Sequence, residues 1–303
     1  MKWRRSWTSS TACNPMRRNT TMKTLIKITA AALALGLAAP ALHAADPAAA
    51  AEAQAQGFRD FFFKRFPDIK PADYIYGVYA MNEDAKSQYE ALCEFPPYEG
   101  AIKQGKDLYA KALPNGKSLK DCLGDAKGLR AQYPFFDTAT GKVRNLEADL
   151  IQCAQAYGDD KLITEKSKEL GAVSGYLASE SRGMKVDVSI PNAAALAAFE
   201  AGKAQWFRKT GQLNLSCADC HQYYSGQRAR SETLSTGIGK TAHFPVWRLK
   251  DDGLVTLNDR FTGCVRDTRA KPYKRYGEEF RTLEYFLAYI DNGLEITGPA
   301  VRK

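Results

Sequence analysis

Cys217-Ala218-Asp219-Cys220-His221 is the stretch of this sequence that decides its fold. Two cysteines separated by two residues and followed at once by a histidine form the attachment signal for c-type haem, because the thiols add to the porphyrin and the histidine binds the iron. Half of a zinc site would need a second C-x-x-C, and the sequence holds none. A short disulfide would leave the histidine unexplained. The motif therefore predicts a covalent haem on Cys217 and Cys220, with His221 as an axial ligand.

Two apolar helices are predicted on either side of this motif. One spans residues 193–210 and carries Gly202 on its apolar face, where another helix can cross closely. The other spans residues 276–290 and ends before Asn292-Gly293, a helix stop. The two apolar faces consist of Leu196, Phe199, Trp206 and Phe207, and of Phe280, Leu283, Leu287 and Ile290. Two such helices around C-x-x-C-H are typical of a class I cytochrome c domain.

The first half of the sequence repeats this pattern without the haem ligands. Leu119–Leu123 aligns with the motif, but leucines replace its first cysteine and its histidine. Farther along, Leu146–Cys153 aligns with Leu257–Cys264 at an offset of 111 residues. We therefore predict a mainly α protein of two tandem class I cytochrome c-like domains. The N-terminal one, residues 58–185, is haem-less, and the second, residues 186–303, binds haem.

The N-terminal 44 residues have the layout of a secretory leader. From Met22, a short basic region precedes an apolar run of about fifteen residues and a small-residue exit near Ala44. A membrane anchor is the alternative, but the run is shorter than the ~20 residues that a spanning helix needs. We expect export to the periplasm with cleavage near Ala44, and a flexible arm over residues 45–57.

The net charge of +9 does not indicate a nucleic-acid partner. Seven of the 43 basic residues and none of the 34 acidic residues lie in residues 1–44, so the remainder has 36 basic and 34 acidic residues. The excess of positive charge belongs to the leader, and nucleic-acid binding is not expected.

Two cysteines of the first half are predicted to form a disulfide. Cys122 and Cys153 align with Cys220 and Cys264, which lie near the haem in the second half. Without a haem between them, Cys122 and Cys153 can close on each other in an oxidising compartment. Free thiols are the alternative, and Cys93 leaves the pairings 93–122 and 93–153 open.

The second axial ligand of the iron is predicted to be Cys264. Beyond the leader the sequence contains only His221 and His243, so one haem can be held. His243 and Met184 are the other candidates. Cys264 lies just before the last helix, where a class I cytochrome usually supplies its distal ligand.

Arginines surround Cys264 in the sequence. Arg260 precedes it by four residues, which places guanidinium and sulfur on one helix face, and Arg266 and Arg269 follow. Positive charge favours the thiolate, which is both metal ligand and nucleophile, and it attracts small dianions. A solvated or partner-docking face is the alternative interpretation.

The C-terminal segments carry a specific resemblance. FPVWRLKDDGLVTLNDRFTGCVRDTRAKPY (residues 244–273) and EEFRTLEYFLAYIDNGL (residues 278–294), together with the upstream C-x-x-C-H, resemble the SoxA family, the A subunits of the SoxAX cytochromes of bacterial thiosulfate oxidation. The resemblance covers the chain from about Phe58 onward. Some members carry a second haem in the first domain, whereas Leu119 and Leu123 make this chain similar to the single-haem type.

The resemblance implies a function and a set of roles. Such an enzyme, an L-cysteine S-thiosulfotransferase, joins thiosulfate oxidatively to the cysteine of a carrier protein, SoxYZ. Electrons leave through the haem of a partner subunit, SoxX, toward a cytochrome c acceptor. Cys264 would be both iron ligand and catalytic sulfur, carrying an extra sulfur as a persulfide. Arg260 would bind substrate, supported by Arg266 and Arg269.

Two other functions remain open on the sequence. A plain periplasmic electron-transfer cytochrome would use Cys264 or His243 only as a ligand. A thiosulfate dehydrogenase that joins two thiosulfates is the weaker alternative, because such enzymes generally carry a second C-x-x-C-H in the same chain.

Overall fold

The protein is mainly α-helical, as the sequence predicts. The structure, a computed structural model, describes residues 46–229 and 232–302. The predicted leader, residues 1–44, lies outside the described residues. Within them, no helix is both long and apolar enough to cross a bilayer. The chain opens with α1 (Pro47–Arg65), a 3-10 segment (Pro71–Ala80) and α2 (Glu83–Glu94).

Two runs of elements then follow that share an order of helices, a short β-hairpin and two more helices. The second run has an additional hairpin before the shared one and a strand after its last helix. The first run is α3 (Glu99–Ala110), α4 (Leu119–Leu123), a 3-10 turn (Arg130–Gln132), β1 (Phe135–Asp137), β2 (Lys142–Arg144), α5 (Leu146–Ala156) and α6 (Lys168–Ser179). The second is α7 (Ala193–Phe207), a π-helical turn (Asp219–Tyr223), β3 (Arg228–Ala229), β4 (Glu232–Thr233), β5 (Val246–Arg248), β6 (Gly253–Val255), α8 (Leu257–Asp267), α9 (Glu278–Ile290) and β7 (Ala300–Arg302). We refer to these runs as the first and second halves.

Within the described residues, the strands form three small sheets. In the first half β1 pairs antiparallel with β2, with Phe136 opposite Val143. In the second half β3 pairs with β4, and β5 lies between antiparallel β6 and parallel β7, with Trp247 opposite both Leu254 and Val301. The chain end is thereby fixed to the hairpin that precedes α8.

Each half is built around one close crossing of its first and last helices. In the second half a Cβ atom on Gly202 of α7 would overlap the carbonyl oxygen of Thr282 on α9. In the first half a Cβ on Gly105 of α3 would overlap the carbonyl oxygen of Ala172 on α6. The predicted crossing at Gly202 is confirmed. Phe207, expected on the buried face of α7, is instead exposed at the end of that helix.

The expectation of a flexible arm over residues 45–57 is wrong. Residues 47–57 form the first part of α1, which Asp46 caps by accepting a hydrogen bond from the Ala48 amide at 3.1 Å. Ala51 and Ala55 on this helix are fully buried. The alanine-rich sequence is helical because its small side chains let α1 pack closely against α7 and α9.

The boundary predicted at residue 58 for the haem-less unit also needs correction. Phe58 and Phe62 of α1 and Tyr74 of the 3-10 segment belong to one apolar core with Phe199 and Phe286 of the second half. Residues 47–94 therefore complete the core of the second half, although they precede the first half in the chain. The aromatic side chains on these elements pack against residues more than a hundred positions later in the chain. A local sequence pattern does not reveal such contacts.

The two halves also exchange contacts through their hairpins. Phe136 and Val143 of the β1–β2 hairpin lie in the apolar core of the second half. Conversely, Leu254 of the β5–β6 hairpin packs on α6, where a Cβ on Gly171 or Gly175 would overlap it. Each hairpin thus covers helices of the opposite half.

A buried polar contact joins the halves as well. Asn145, which caps α5, and Asn258 of α8 both donate to the Glu284 carboxylate of α9. Burial and the neighbouring charge of Glu147 raise the pKa of Glu284 to about 8, so this carboxyl is held mostly protonated at neutral pH.

Candidate functional site

The C-x-x-C-H motif lies on a tight turn that its own polar groups hold. The amide and hydroxyl of Ser216 both donate to the Asp219 carboxylate at 2.7 Å, and the Asp219 amide donates back to Ser216 Oγ at 3.1 Å. Burial alone would raise the pKa of Asp219, but these hydrogen bonds and Lys209 at 3.3 Å hold it below its usual value. An ionised carboxylate therefore anchors the centre of the motif.

His221 is oriented for binding a metal. Its Nδ1 lies 2.9 Å from the carbonyl oxygen of Ser235, which can only accept a hydrogen bond, so the proton of the neutral ring sits on Nδ1. Burial, followed by the charge of Lys240, holds the pKa of His221 well below its usual value. The ring is therefore neutral, and Nε2 keeps a free lone pair for an axial bond.

Cys264 shares a space with the two motif cysteines. Burial raises the pKa of Cys217 to about 12, and the next cause is its electrostatic interaction with nearby Cys264. Burial and then the interaction with Cys264 also raise the pKa of Cys220. Cys217, Cys220 and Cys264 are all half-buried free thiols. The structure therefore brings near one another the residues that the sequence predicts as thioether positions and as distal ligand.

These residues fit a covalently bound haem. Two unbonded thiols stand ready for attachment, and the neutral His221 offers Nε2. A third thiol, Cys264, offers a second axial donor of the kind that haem iron accepts. Among the described residues, no group of three or more His, Cys, Asp or Glu side chains forms an alternative metal site.

Arg260 reaches over the helix turn that carries Cys264. The helix α8 begins with a capping box in which Thr256 and Asp259 bond each other's side chains and amides. Arg260 follows directly, and its Nη1 would lie 3.4 Å from a Cβ on Gly263. The glycine leaves the guanidinium room to lie against the turn that ends in Cys264, and the charge of Arg260 also acts on His221.

A basic groove of about 450 Å³ lies next to this helix, between the two halves. Arg260 and Arg266 line it, whereas Arg269 lies outside it, exposed and with a left-handed backbone (φ +61°) just past the end of α8. Of the three acidic lining residues, Asp251, Asp259 and Asp267, two pair with arginines that also line the groove: Asp259 with Arg275 at 2.8 Å and Asp251 with Arg248 at 3.4 Å. The other basic lining residues are Lys166, Lys168 and Lys250. The groove therefore favours an anion.

Two basic residues near the cysteine are absent from the sequence-based site. Arg248 on β5 is half-buried, and its pKa is lowered by burial and then by the charge of Arg260. Lys240 lies in the loop after the motif, and burial lowers its pKa to about 7. Both pKa values also respond to Cys264. Arg248 stands within the segment that carries the family resemblance, but no spacing rule connects either residue to Cys264.

The two other candidate ligands, His243 and Met184, have different packing partners. His243 is buried against Gly77 of the N-terminal segment and packs on Phe244. Burial and the charges of Arg302 and Lys240 lower its pKa. Met184 packs against Gly128 in the first half.

In the first half, a disulfide joins the two cysteines that align in sequence with Cys220 and Cys264. Cys122 and Cys153 are bonded, with Cα atoms 6.1 Å apart. The pairings of Cys93 with either of these residues are therefore not formed. The adjoining turn keeps the polar anchor of the haem motif, because Ser118 and Asp121 repeat the hydrogen bonds of Ser216 and Asp219.

Known proteins match this chain over most of its length. The L-cysteine S-thiosulfotransferase subunit SoxA of Chlorobaculum tepidum is 43% identical over 252 residues, 83% of this chain and 88% of the relative. The chain belongs to the SoxA family. The SoxA of Allochromatium vinosum is 41% identical over 258 residues, 84% of this chain and 92% of that protein. The resemblance inferred from the sequence is confirmed.

Two further comparisons bear on the fold. The family model described as the SoxA/TsdA cytochrome c domain matches residues 104–186, which lie in the first half, before the haem motif. The crystal structure of SoxXA from P. pantotrophus aligns with a TM-score of 0.66 and 33% identity over 74% of this chain and 86% of that chain. As a SoxA-family cytochrome, the chain carries a covalently bound c-type haem, as the motif predicts.

Proposed function

We propose that this protein is an L-cysteine S-thiosulfotransferase subunit that joins thiosulfate oxidatively to the cysteine of a SoxYZ-like carrier protein. The observation that carries the proposal is the position of Cys264, which lies close enough to both motif cysteines to interact with them electrostatically, with Arg260 four residues earlier on the same helix. The names of the relatives support the same reaction class.

Cys264 combines two roles in this proposal. Cys217 and Cys220 would hold the haem covalently, and His221 and Cys264 would bind its iron. The haem supplies a centre that takes up electrons one at a time. The Cys264 sulfur, extended by a persulfide sulfur, is the proposed nucleophile.

The reaction requires an electron acceptor beyond this chain. Joining thiosulfate to a thiol forms one S–S bond, releases one proton and removes two electrons. A single haem could store only one of these electrons at a time, so both would have to pass to an acceptor outside this chain during each turnover. A SoxX-like cytochrome subunit is the proposed partner, supported by the SoxXA complex among the similar structures, with a soluble cytochrome c as the final acceptor.

The basic groove is the proposed binding site for the anion. Arg260 and Arg266 line it, and Arg248 lies beside them. Guanidinium groups bind oxyanions through two parallel hydrogen bonds, which suits the sulfonate end of thiosulfate. Arg269, outside the groove, is left as a surface charge.

The first half is proposed to be a haem-less cytochrome c-like domain. Support comes from the repeated order of elements, from the matching glycine crossings at Gly105 and Gly202, and from the family model over residues 104–186. The Cys122–Cys153 disulfide takes the place of the lost haem. The periplasm remains the proposed location, since haem attachment and this disulfide both suit an oxidising compartment.

Two variants of Cys264 test the enzyme against a plain electron carrier. Cys264→Met supplies a thioether that can ligate iron but cannot serve as the nucleophile, and Cys264→Ala removes both roles. We expect both variants to keep the covalent haem, and neither to conjugate thiosulfate to the carrier. Conjugation by Cys264→Met at the wild-type rate would refute Cys264 as the catalytic sulfur, and failure of the wild-type protein to conjugate thiosulfate to the carrier would leave only the electron carrier.

Mass spectrometry of the peptide that contains Cys264 tests the persulfide. We expect one additional sulfur atom that is lost on reduction. An unmodified Cys264 thiol in freshly purified, unreduced protein would contradict the persulfide. It would not contradict the proposal that Cys264 binds the iron.

A further inference from the structure

Lys240 lies against the side of His221 that faces away from the lone pair offered to iron. Its Nζ is 3.2 Å from Nδ1 of His221 and donates a hydrogen bond to the Ser235 hydroxyl. The carbonyl of the same serine accepts the Nδ1 proton at 2.9 Å. The ammonium group and the carbonyl oxygen therefore act on one ring nitrogen.

Hydrogen bonds to Asp291 fix the loop around Lys240. Asp291, at the end of α9, accepts hydrogen bonds from the Gly239 amide at 2.6 Å and from the Thr241 amide and hydroxyl at 2.7 Å. Gly239 has a positive φ (+79°), and any Cβ there would overlap the Tyr74 carbonyl. Lys240 is thus fixed on both sides along the backbone, unlike a surface lysine on a free loop.

No carboxylate neutralises this ammonium group. Within residues 46–229 and 232–302, Lys240 forms no salt bridge with an acidic side chain. Asp291 is the acid whose charge acts on it, and both oxygens of that carboxylate are bound to the loop. Arg260 and Arg302 add further positive charge nearby. The site behind the proximal histidine is therefore electropositive.

We propose that Lys240 is a positioning residue of the proximal ligand that raises the reduction potential of the haem. The proposal rests on the function above, in which His221 binds the iron. Reduction lowers the charge of the iron centre by one, so a fixed cation favours the reduced form. The ammonium also draws electron density from the imidazole, opposing the donation that the Nδ1–H to carbonyl hydrogen bond promotes.

The proposed effect of Lys240 on the reduction potential opposes the effect expected of Cys264. A thiolate such as Cys264 pushes electron density toward iron and favours the oxidised form. An enzyme that must remove electrons from thiosulfate needs a haem that can be reduced. Lys240 offsets part of the thiolate effect from the other face of the haem.

The test measures the midpoint potential of the purified, haem-loaded protein at pH 6, where a lysine amine carries its proton. Lys240→Met removes the charge, Lys240→Gln removes the charge but keeps a hydrogen-bond donor for Ser235, and Lys240→Arg keeps the charge. Lys209→Met is the matched control, because Lys209 also lies at the motif but is paired with Asp219 and largely exposed. Covalent haem content and the electron paramagnetic resonance spectrum of the ferric state are recorded for each variant.

We expect Lys240→Met and Lys240→Gln to lower the midpoint potential, with Lys240→Arg and Lys209→Met close to wild type and haem content unchanged. If Lys240→Met loses its haem, the Lys240→Gln variant decides. An unchanged potential in the charge-free variants, or an equal shift in Lys209→Met, would overturn the role of Lys240. A wild-type protein without covalent haem, or with His221 not bound to iron, would instead refute the proposed function.

Discussion

Removing the Cys122–Cys153 disulfide should destabilise the protein by about 3.5 kcal/mol. The bond closes a loop with a sequence separation of 31, and loop-closure entropy for this length gives roughly that free energy at 25 °C. The change is Cys122→Ala with Cys153→Ala, which leaves no free thiol behind. The assay is urea denaturation followed by tryptophan fluorescence, and the measured quantity is the free energy of unfolding with and without the bond.

The same variant tests whether the haem site of the second half is independent of the disulfide in the first half. The second half holds its own thiols and ligands, so we expect covalent haem content and the visible spectrum to match wild type. Reduced wild-type protein serves as the control, because it loses the bond without losing side-chain volume. A loss of stability below about 1 kcal/mol, or loss of haem, would refute the reasoning.

Three further perturbations have defined outcomes. Gly202→Ala should lower the free energy of unfolding by about 1–3 kcal/mol, because its Cβ overlaps backbone, whereas Gly57→Ala, with nothing within 4 Å, should be neutral or stabilising by up to about 1 kcal/mol in the same urea assay. Arg260→Ala should reduce kcat/KM for thiosulfate by about 10- to 100-fold with haem content unchanged, as expected for a lost charged hydrogen bond, and Arg269→Ala should have little effect. The raised pKa of Glu284 means that the folded protein binds more protons than the unfolded chain between pH 4.5 and about 8, so stability should fall as pH rises through this range. Glu284→Gln should flatten that slope in urea titrations from pH 5 to 8, and an equally steep slope in the variant would contradict the assignment.

Local chemistry made the haem site readable from the sequence. The C-x-x-C-H motif needs only adjacent residues, and the glycine crossing at Gly202 follows from helical periodicity. Its position before the last helix predicts Cys264 as a ligand, and in the structure Cys264 interacts electrostatically with both motif cysteines. Such features depend on short spacings and on the order of elements, which a sequence displays directly.

Features set by tertiary contact could not be read in this way. The alanine-rich start of α1 has the composition of a linker. It is helical because its small side chains allow it to pack against α7 and α9, which the local sequence does not show. Lys240 and Arg248 are ordinary basic residues in sequence, and their proximity to Cys264 depends on how a loop and a strand fold back. Arg269 shows the converse, since its nearness in sequence did not bring it into the groove.

The exchange of hairpins between the halves limits how this chain can be divided. A cut near residue 185 would separate β1–β2 from the aromatic core that it covers and expose α6 where Leu254 now lies. It would also remove α1, which is encoded upstream of the first half but packs in the second. Neither fragment would retain a sealed apolar interior, so we expect both to aggregate when expressed alone. A chain assembled in this manner cannot discard its first half, even though the C-x-x-C-H motif lies in the second.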